Sequence, residues 1–256
     1  ADLLLKIPDS LSFEEAATLG VGTGTAALGL FHELRIPASL EQLTNTKGDA
    51  PKGEFVLITG GSTATGTHAI SSEIIYMPDY DQSRLVHPPI SISRSNSAQI
   101  KSLTIIPTDC ASDIRTYTGG GGGGGELAYA FDCVSLADTT ELCYKAIGRG
   151  GGRYVSLEPV RAAITQTRPT VEPSWLMVLS LFGHQVALDG DYGRPARPEY
   201  RKFGREAFTA VQALLDRGLV DTHPIKIMAG GWDGVIKGVA LIRSQAPSGS
   251  KLVYSV

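Results

Sequence analysis

The sequence predicts an α/β fold with a parallel sheet that carries helices on both faces. Three observations indicate it: a buried-type strand at 54–59 that runs into a glycine-rich turn, strand and helix patterns that alternate after residue 126, and a composition that is 42% hydrophobic and 19% charged over 256 residues. Strands that alternate with helices are typical of parallel sheets, because each parallel strand needs a long crossover connection. The composition provides enough apolar side chains for a buried core.

The first part of the chain predicts a short extended piece followed by helix. Ser12 and Glu15 have the spacing of a capping box, in which two side chains satisfy the free N–H groups of a helix start. A helical pattern continues to Leu34, and we expect a break around 20–24 because of the glycines there. Residues 37–53 are polar and flanked by prolines, which predicts a loop.

The strongest local signal follows this loop. The predicted strand 54–59 leads into the turn Gly60–Gly66, and a helix is predicted over 67–75. A strand, a glycine turn and a helix aim backbone N–H groups and the helix N-terminus at a phosphate group. The alternative interpretation is a tight turn that binds no ligand.

The second half alternates regularly, and the segment before it does not. Strands are predicted at 127–134, 152–157 and 251–256 and, interrupted by Gly183, at 175–188; helices are predicted at 138–147, 200–217 and 232–244. Residues 76–125 combine prolines, a serine-rich stretch and an unbroken glycine run, so they offer little apolar surface against the entropy of ordering. We expect them to be the least regular part.

Charge and composition exclude several function classes. The net charge is −3, whereas nucleic-acid binding normally needs a basic face. No apolar run reaches the roughly 18–20 residues of a membrane span, and no signal peptide is recognisable. Three cysteines without a CxxC pair are typical of free thiols in a reducing compartment. We therefore expect a cytoplasmic protein without a nucleic-acid, membrane or metal partner.

Three catalytic signatures are missing from the sequence. Thr59–Gly66 also matches the turn of short-chain dehydrogenases, but none of the nine tyrosines has the lysine four residues on that those enzymes need. The five histidines have no zinc-ligand spacing, and no GxSxG motif supplies an acyl-transfer nucleophile. Glu158 follows a predicted strand, so it either lines a cofactor cleft or is a solvated carboxylate.

Five short motifs occur in the order found in a known family. Together they resemble the fungal trans-acting enoyl reductases, which form part of the zinc-free branch of the medium-chain dehydrogenase/reductase superfamily. The resemblance covers about 1–75 and 109–256, and its motifs are Ile58-Thr-Gly-Gly-Ser-Thr-Ala-Thr-Gly-Thr67, Ala130-Phe-Asp-Cys-Val134, Gly152-Arg-Tyr-Val-Ser-Leu-Glu-Pro159, Gly230-Gly-Trp-Asp-Gly-Val235 and Ser248-Gly-Ser-Lys-Leu-Val-Tyr254.

This resemblance implies an NADPH-dependent reductase that delivers a hydride to an enoyl thioester carried on a partner polyketide synthase, in secondary metabolism. It implies cofactor contacts at Gly60, Gly61, Ser62, Thr63, Ala64, Thr65, Leu157, Glu158, Pro247 and Ser248. It implies substrate contacts at Thr23, Gly24, Thr25, Val178, Leu179, Ser180, Leu181 and Phe182. No proton donor is identified.

The resemblance also implies a domain organisation. Residues 1–11 are expected to end a truncated GroES-like catalytic domain, 12–192 to form the Rossmann-like dinucleotide-binding domain with an irregular 76–125, and 193–256 to return to the catalytic domain. The family's chains begin well before residue 1 of this chain. The glycine run replaces a Gly-Gly pair, and an insertion of this size costs little in loop closure.

Residues 76–108 do not match the family. A shift of one nucleotide over 85–107 permits the strand, the Cys-Ser-Pro-x-Asn-Phe loop and the helix that the family has there, so we predict a shifted frame or a mispredicted intron. The nucleotide sequence tests this. As the chain stands, the cofactor's 2′-phosphate lacks a defined set of donors, and we expect this chain to bind NADPH weakly or not at all.

Two rival functions stay open from the sequence. A related zinc-free reductase of free enones or quinones would turn over small soluble enones without a synthase. A truncated remnant, or a nucleotide-fold module that only binds a partner, would have no activity. Dependence on a partner synthase separates the first rival from the leading interpretation.

Overall fold

The computed structural model describes residues 2–37, 40, 55–76, 110–119, 126–244 and 249–256. Its larger sheet has four strands, all parallel, in the order β1 (Val56–Thr59), β2 (Tyr129–Asp132), β3 (Gly152–Ser156) and β4 (Val171–Trp175). A smaller sheet pairs β5 (Ile225–Met228) with β6 (Lys251–Tyr254), also in parallel. The predicted parallel α/β fold is confirmed.

Helices flank the larger sheet. The described helices are α1 (Phe13–Ala16), α2 (Gly20–Ala27, continued by a π-helical segment Leu28–Glu33), α3 (Ala64–Tyr76), α4 (Cys110–Gly119), α5 (Ala137–Ala146), α6 (Ala162–Thr165), α7 (Pro198–Leu215) and α8 (Gly231–Arg243). Of these, α8 packs against β6 of the smaller sheet and α1 contacts β5. Short 3₁₀ helices lie at Val178–Phe182 and Gly190–Tyr192. The predicted capping box is present at α1, where Ser12 Oγ accepts from the N–H of Glu15 and Glu15 Oε2 accepts from the N–H of Ser12.

The two faces of the larger sheet have separate cores, as the alternation of side chains along a strand requires. Phe131 and Val155 point into a cluster with residues of α2, α3 and the segment Leu176–Leu181, against which aromatic side chains of α7 pack. Ala130 and Tyr154 point to the other face, where α5 contributes Cys143, Tyr144 and Ala146. The prediction of helices on both faces is therefore confirmed.

The predicted helix break at 20–24 is wrong, because α2 runs through these glycines without interruption. Small residues are needed there for close packing. A Cβ at Gly22 would lie 2.6 Å from the Cδ2 of His68 on α3, and a Cβ at Gly24 would lie 3.1 Å from the Cδ1 of Leu181. The glycines therefore let neighbouring elements approach α2 instead of ending it.

The predicted strand-like segment 175–188 is also wrong. Strand β4 ends at Trp175, and a 3₁₀ helix follows that ends at Gly183 with φ of 72°, a left-handed conformation that favours glycine. The apolar composition of this run predicts a strand, but Leu181 is buried by packing against Gly24 and Gly204 and not by strand pairing.

One helix lies inside the segment 76–125 that we expected to be irregular. It is α4 (Cys110–Gly119), and its Ala111 and Ile114 pack against the second core, which gives the helix an apolar anchor. The rest of that segment lies outside the described residues, except Tyr76 at the end of α3. The predicted loop 37–53 also lies outside them, apart from its first residue and residue 40.

The first residues of the chain are bonded to α7. The Arg201 guanidinium donates to both carboxylate oxygens of Asp2, at 3.1 and 2.6 Å. The amide of Gln212 exchanges two hydrogen bonds with the backbone of Lys6, at 2.7 and 3.1 Å. These bonds join the two segments that the sequence assigned to a catalytic domain, 1–11 and 193–256, whose boundaries stay a prediction. Within the described part of the chain, no helix is long and apolar enough to cross a membrane.

The contact between α2 and the sheet gives a test of the fold. A Cβ at Gly29 would lie 2.5 Å from the Cζ of Phe131, which is fully buried. We expect Gly29→Ala to lower the free energy of unfolding in urea by about 1–3 kcal/mol, because overpacking outweighs the gain in helix propensity. Gly20→Ala is the matched control, because nothing lies within 4 Å of its Cβ position, and it should be neutral or stabilising. Equal stability of the two variants would contradict this packing.

Candidate functional site

The glycine turn after β1 forms the start of α3. Gly60 has φ of 72°, and its carbonyl accepts from the N–H of Thr63 at 2.8 Å. Thr63 then caps the helix, because its Oγ1 accepts from the N–H of Gly66 at 3.0 Å. A Cβ at Gly66 would lie 2.2 Å from the carbonyl oxygen of Gly60, so only glycine lets the helix begin this close to the turn.

Four N–H groups of this turn keep their hydrogen-bonding capacity. Within the described residues, none of the N–H groups of Gly61, Ser62, Ala64 and Thr65 donates a hydrogen bond. These residues are partly exposed, so the groups are accessible from outside. A helix N-terminus with free N–H groups attracts a phosphate group. The turn predicted from the sequence to bind phosphate therefore has the donors for it.

A buried carboxylate lies next to the turn, at the end of β2. Asp132 has no exposed surface and accepts from five donors within 3.1 Å. On the neighbouring strands the donors are Thr59 Oγ1 at 2.6 Å and the Tyr154 hydroxyl at 3.0 Å; in the segment after β2 they are the N–H groups of Val134 and Ser135 and the hydroxyl of Thr139. The carboxylate thus ties together the carboxyl ends of β1 and β2 and the core residue of β3.

The same carboxylate shapes the loops that follow the strands. Ser135 adopts a positive φ of 61°, and its Oγ donates to the carbonyl of Asp132 at 3.0 Å and accepts from the N–H of Leu157 at 2.9 Å. Burial, and then the charge of Asp132, raise the pKa of Tyr154, so its hydroxyl stays a donor at neutral pH. The sequence carries one signal for this group, an acidic residue inside an apolar strand that is followed by hydroxyl residues at 135, 139 and 140.

The predicted pair Leu157 and Glu158 follows β3 directly. Leu157 is half-buried and packs against the first core, while Glu158 is exposed. The Tyr192 hydroxyl donates to Glu158 Oε2 at 2.5 Å, and this hydrogen bond raises the pKa of Tyr192. Glu158 is thus held from the loop after β4. The predicted contacts Pro247 and Ser248 lie outside the described residues.

The two predicted substrate segments meet. Gly24 on α2 faces Val178 and Leu181, although Leu181 and Ser180 are buried in packing. Leu179 and Phe182 are 45% and 49% exposed, so these two apolar side chains face outward.

The threonines on either side of Gly24 are both buried, at 4% exposure. Thr25 Oγ1 donates to the carbonyl of Val21 at 2.7 Å. Thr23 Oγ1 has no hydrogen-bond partner within the described residues. A buried hydroxyl without a partner loses about 1–3 kcal/mol, which a ligand atom could restore.

A cavity of about 230 Å³ opens beside β4, and of the predicted residues only Ser180 lines it. Arg194 stacks on the ring of Trp175, with its guanidinium carbon 3.7 Å from the ring centroid. Glu33 accepts from the hydroxyl of Tyr200 at 3.3 Å. Burial opposes the charge of Glu33, but hydrogen bonds, chiefly with His32, leave its pKa lowered. Sequence reasoning did not identify this cavity, because its residues come from three distant segments.

Two buried histidines connect α3 to the rest of the chain. His68 Nε2 lies 3.1 Å from the carbonyl oxygen of Thr18, and His223 Nδ1 lies 3.0 Å from Thr67 Oγ1. Burial lowers the pKa of His68; burial, then the neighbouring His68 and Lys251, lower the pKa of His223 to about 4. Within the described residues, no group of three or more His, Cys, Asp or Glu side chains is arranged to hold a metal ion.

Three curated relatives align with the whole chain. They are the trans-enoyl reductases traG of Penicillium crustosum and caaB of Aspergillus niger, each 51% identical, and thnE of Trichoderma harzianum, 49% identical. The matches cover 100% of this chain and 68%, 69% and 67% of those proteins, so the chain spans about two thirds of their length. No protein-family model matches the sequence.

Solved structures share the fold at low identity. The CurK enoyl reductase superposes with a TM-score of 0.62 at 15% identity, over 98% of this chain and 65% of that one. The CurF ER cyclopropanase of the curacin A biosynthetic pathway superposes with a TM-score of 0.60 at 19% identity, over 99% and 66%. These matches agree with the parallel α/β architecture.

The buried carboxylate gives a test of the site's framework. We expect Asp132→Ala to lower the free energy of unfolding by about 3–5 kcal/mol, because it leaves buried donors without an acceptor. Asp132→Asn keeps one acceptor oxygen and should lose less. Asp138→Ala is the control, since Asp138 is exposed in the first turn of α5. Chemical denaturation measures all three; an Asp132→Ala loss no larger than that of the control would contradict the assigned role.

The buried histidines predict how stability depends on pH. His223 has a pKa of about 4 in the folded protein and about 6.5 when unfolded, so the unfolded state binds more protons between these values. The stability is therefore fully present above about pH 6.5 and is lost as the pH falls towards 4, and the lowered pKa of His68 acts in the same direction. Denaturation curves across this range should show a shallower slope for His223→Asn. The control His184→Asn, at an exposed position, should keep the slope of the unaltered chain.

Proposed function

The chain belongs to the trans-enoyl reductase family, three members of which are 49–51% identical to it over its whole length, and we propose from this that it provides the cofactor-binding part of an NADPH-dependent enoyl reductase. The observation that carries the proposal is the turn of Gly61, Ser62, Ala64 and Thr65, whose N–H groups have no acceptor within the described residues. This turn stands at the carboxyl edge of a parallel sheet, where open α/β sheets bind their ligands.

The residues present fit a nicotinamide cofactor. The free N–H groups at the start of α3 suit its pyrophosphate, and Leu157 and Glu158 follow β3 at the same edge of the sheet. Val134 approaches Gly60 to within contact distance, so the loop after β2 borders the turn as well. The choice of NADPH over NADH as the cofactor rests on the family resemblance, because the segment expected to hold the 2′-phosphate lies outside the described residues.

When bound, the cofactor would supply a hydride. The chain's own residues hold and orient the reactants: the turn binds the pyrophosphate, and the buried hydroxyl of Thr23 is available to a polar atom of cofactor or substrate. The exposed side chains of Leu179 and Phe182 suit an apolar acyl chain. Asp132 keeps the strand ends in register through the hydrogen bonds that it accepts from Thr59, Thr139 and Tyr154.

The proposed substrate is an enoyl thioester on the acyl carrier of a partner polyketide synthase. The relatives are named trans-enoyl reductases, and the CurF enzyme belongs to the curacin A biosynthetic pathway. An enoyl reductase that acts in trans must receive its substrate from another protein. We place the reaction in the cytoplasm, where the free thiols of Cys110, Cys133 and Cys143 persist.

The turn gives the first test of this proposal. Weak binding of NADPH and no binding are the two outcomes that the sequence leaves open, and the free N–H groups of the turn favour weak binding, in the millimolar range. We expect Gly66→Ala to lower that affinity about tenfold or more, since its Cβ would displace the carbonyl of Gly60. Gly150→Ala, at an open position, should bind as the unaltered chain does. Fluorescence titration with NADPH measures the affinities. Identical binding by Gly66→Ala would show that the cofactor lies elsewhere.

Activity tests the substrate class. We expect the chain, joined to the segment that precedes the matched region in the Penicillium crustosum relative, to oxidise NADPH with an enoyl-pantetheine thioester and to be slow with a free enone. Equal rates with the free enone would favour a reductase of free enones or quinones. Absence of NADPH oxidation with either substrate, in a folded protein, would indicate a non-catalytic remnant.

A further inference from the structure

A histidine from the second half of the chain contacts the start of α3. His223 lies between α7 and β5, is 3% exposed, and places Nδ1 3.0 Å from Thr67 Oγ1. Its backbone N–H donates to Thr18 Oγ1 at 3.2 Å. Thr67 belongs to the first turn of α3, directly after the free N–H groups that we assign to the pyrophosphate.

The other neighbours of Thr67 Oγ1 indicate which group donates in the hydrogen bond between Thr67 and His223. Thr67 Oγ1 also lies 3.0 Å from the carbonyl oxygen of Thr63 and 3.3 Å from that of Gly61. A hydroxyl has one hydrogen and two lone pairs, and a carbonyl oxygen can only accept. We assign the tautomer in which the Thr67 hydroxyl donates to one of these carbonyls, so that its oxygen accepts from the Nδ1–H of His223. In this tautomer the imidazole holds the threonine hydroxyl so that its hydrogen points into the glycine turn.

A second histidine holds the same helix at the next residue. His68 Nε2 lies 3.1 Å from the carbonyl oxygen of Thr18, whose hydroxyl donates to the carbonyl of Glu15 and accepts from the N–H of His223. Thr18 thus connects both histidines to the segment between α1 and α2. The start of α3 is fixed at two neighbouring residues by groups far away in the sequence.

We propose that His223 is a positioning residue for the cofactor: through Thr67 it holds the turn Gly60–Gly66 in the shape that presents its N–H groups to the pyrophosphate. The inference rests on the proposed function for the identity of the ligand. It goes beyond it by assigning a role in cofactor binding to the segment that leads into β5, which no motif in the sequence indicated.

Amide hydrogen exchange in the turn tests whether the hydrogen bond between His223 and Thr67 stabilises the turn. The amides of Thr63, Gly66 and Thr67 are hydrogen-bonded within the turn, so their exchange reports its stability. We expect His223→Leu and Thr67→Val each to speed this exchange at least tenfold. His223→Asn, whose amide can donate from nearly the same position, and Thr67→Ser, which keeps the hydroxyl, should restore slow exchange.

Combining His223→Leu with Thr67→Val tests whether both act through the hydrogen bond between these two residues. Because both act through one contact, the double variant His223→Leu/Thr67→Val should exchange no faster than the worse single variant. Additive effects, unchanged exchange in the turn, or equal acceleration throughout β2 and β3 would overturn the inference. Equal acceleration throughout β2 and β3 would indicate that the substitutions destabilise the whole protein and not the turn alone.

NADPH titration then separates the two proposals. His223→Leu should bind NADPH about tenfold more weakly than the unaltered chain, and His223→Asn should bind within about twofold of it. Faster exchange in the turn with unchanged NADPH affinity would overturn the positioning role. If the unaltered chain and every variant fail to bind NADPH, the proposed function fails, and the cofactor role of His223 fails with it.

Discussion

The buried carboxylate of Asp132 is the interaction on which the carboxyl edge of the sheet depends. Removing a charge from water costs several kcal/mol, and here hydroxyl and N–H donors from β1, β3 and the loop after β2 offset that cost. Each donor is thereby fixed in place. Thr59 is the last residue before the glycine turn, so its hydrogen bond to Asp132 positions both the end of β1 and the start of the candidate site.

Close packing of helices completes this arrangement. Gly22 lets α2 approach His68 on α3, and Gly66 lets α3 start against the carbonyl of Gly60. Contacts with strand, helix and loop therefore hold the turn in place, and the contacts of the protein itself arrange its free N–H groups. Such preorganisation lowers the ordering entropy that a ligand would otherwise have to offset.

Much of the fold could be predicted from the sequence, because periodicity and turn chemistry are local signals. The strand and turn at 54–66 and the alternation after 126 were recognisable for this reason. The breaks at 20–24 and the strand at 175–188 were predicted wrongly, since the glycines of α2 serve contacts with distant residues and the apolar run is buried against them. Asp132, His223 and the cavity beside β4 depend on pairings between remote segments, which one sequence does not reveal.

The central claim is that the N–H groups of Gly61, Ser62, Ala64 and Thr65 bind the pyrophosphate of NADPH. Amide NMR spectra of the labelled chain, recorded during a titration with NADPH to millimolar concentration, test it most directly even for weak binding. The account predicts that these four amide signals shift together along one binding curve, while the signal of Gly150, which precedes β3 at the opposite edge of the parallel sheet, stays in place. Shifts confined to residues away from the turn, or no shift at all, would contradict it.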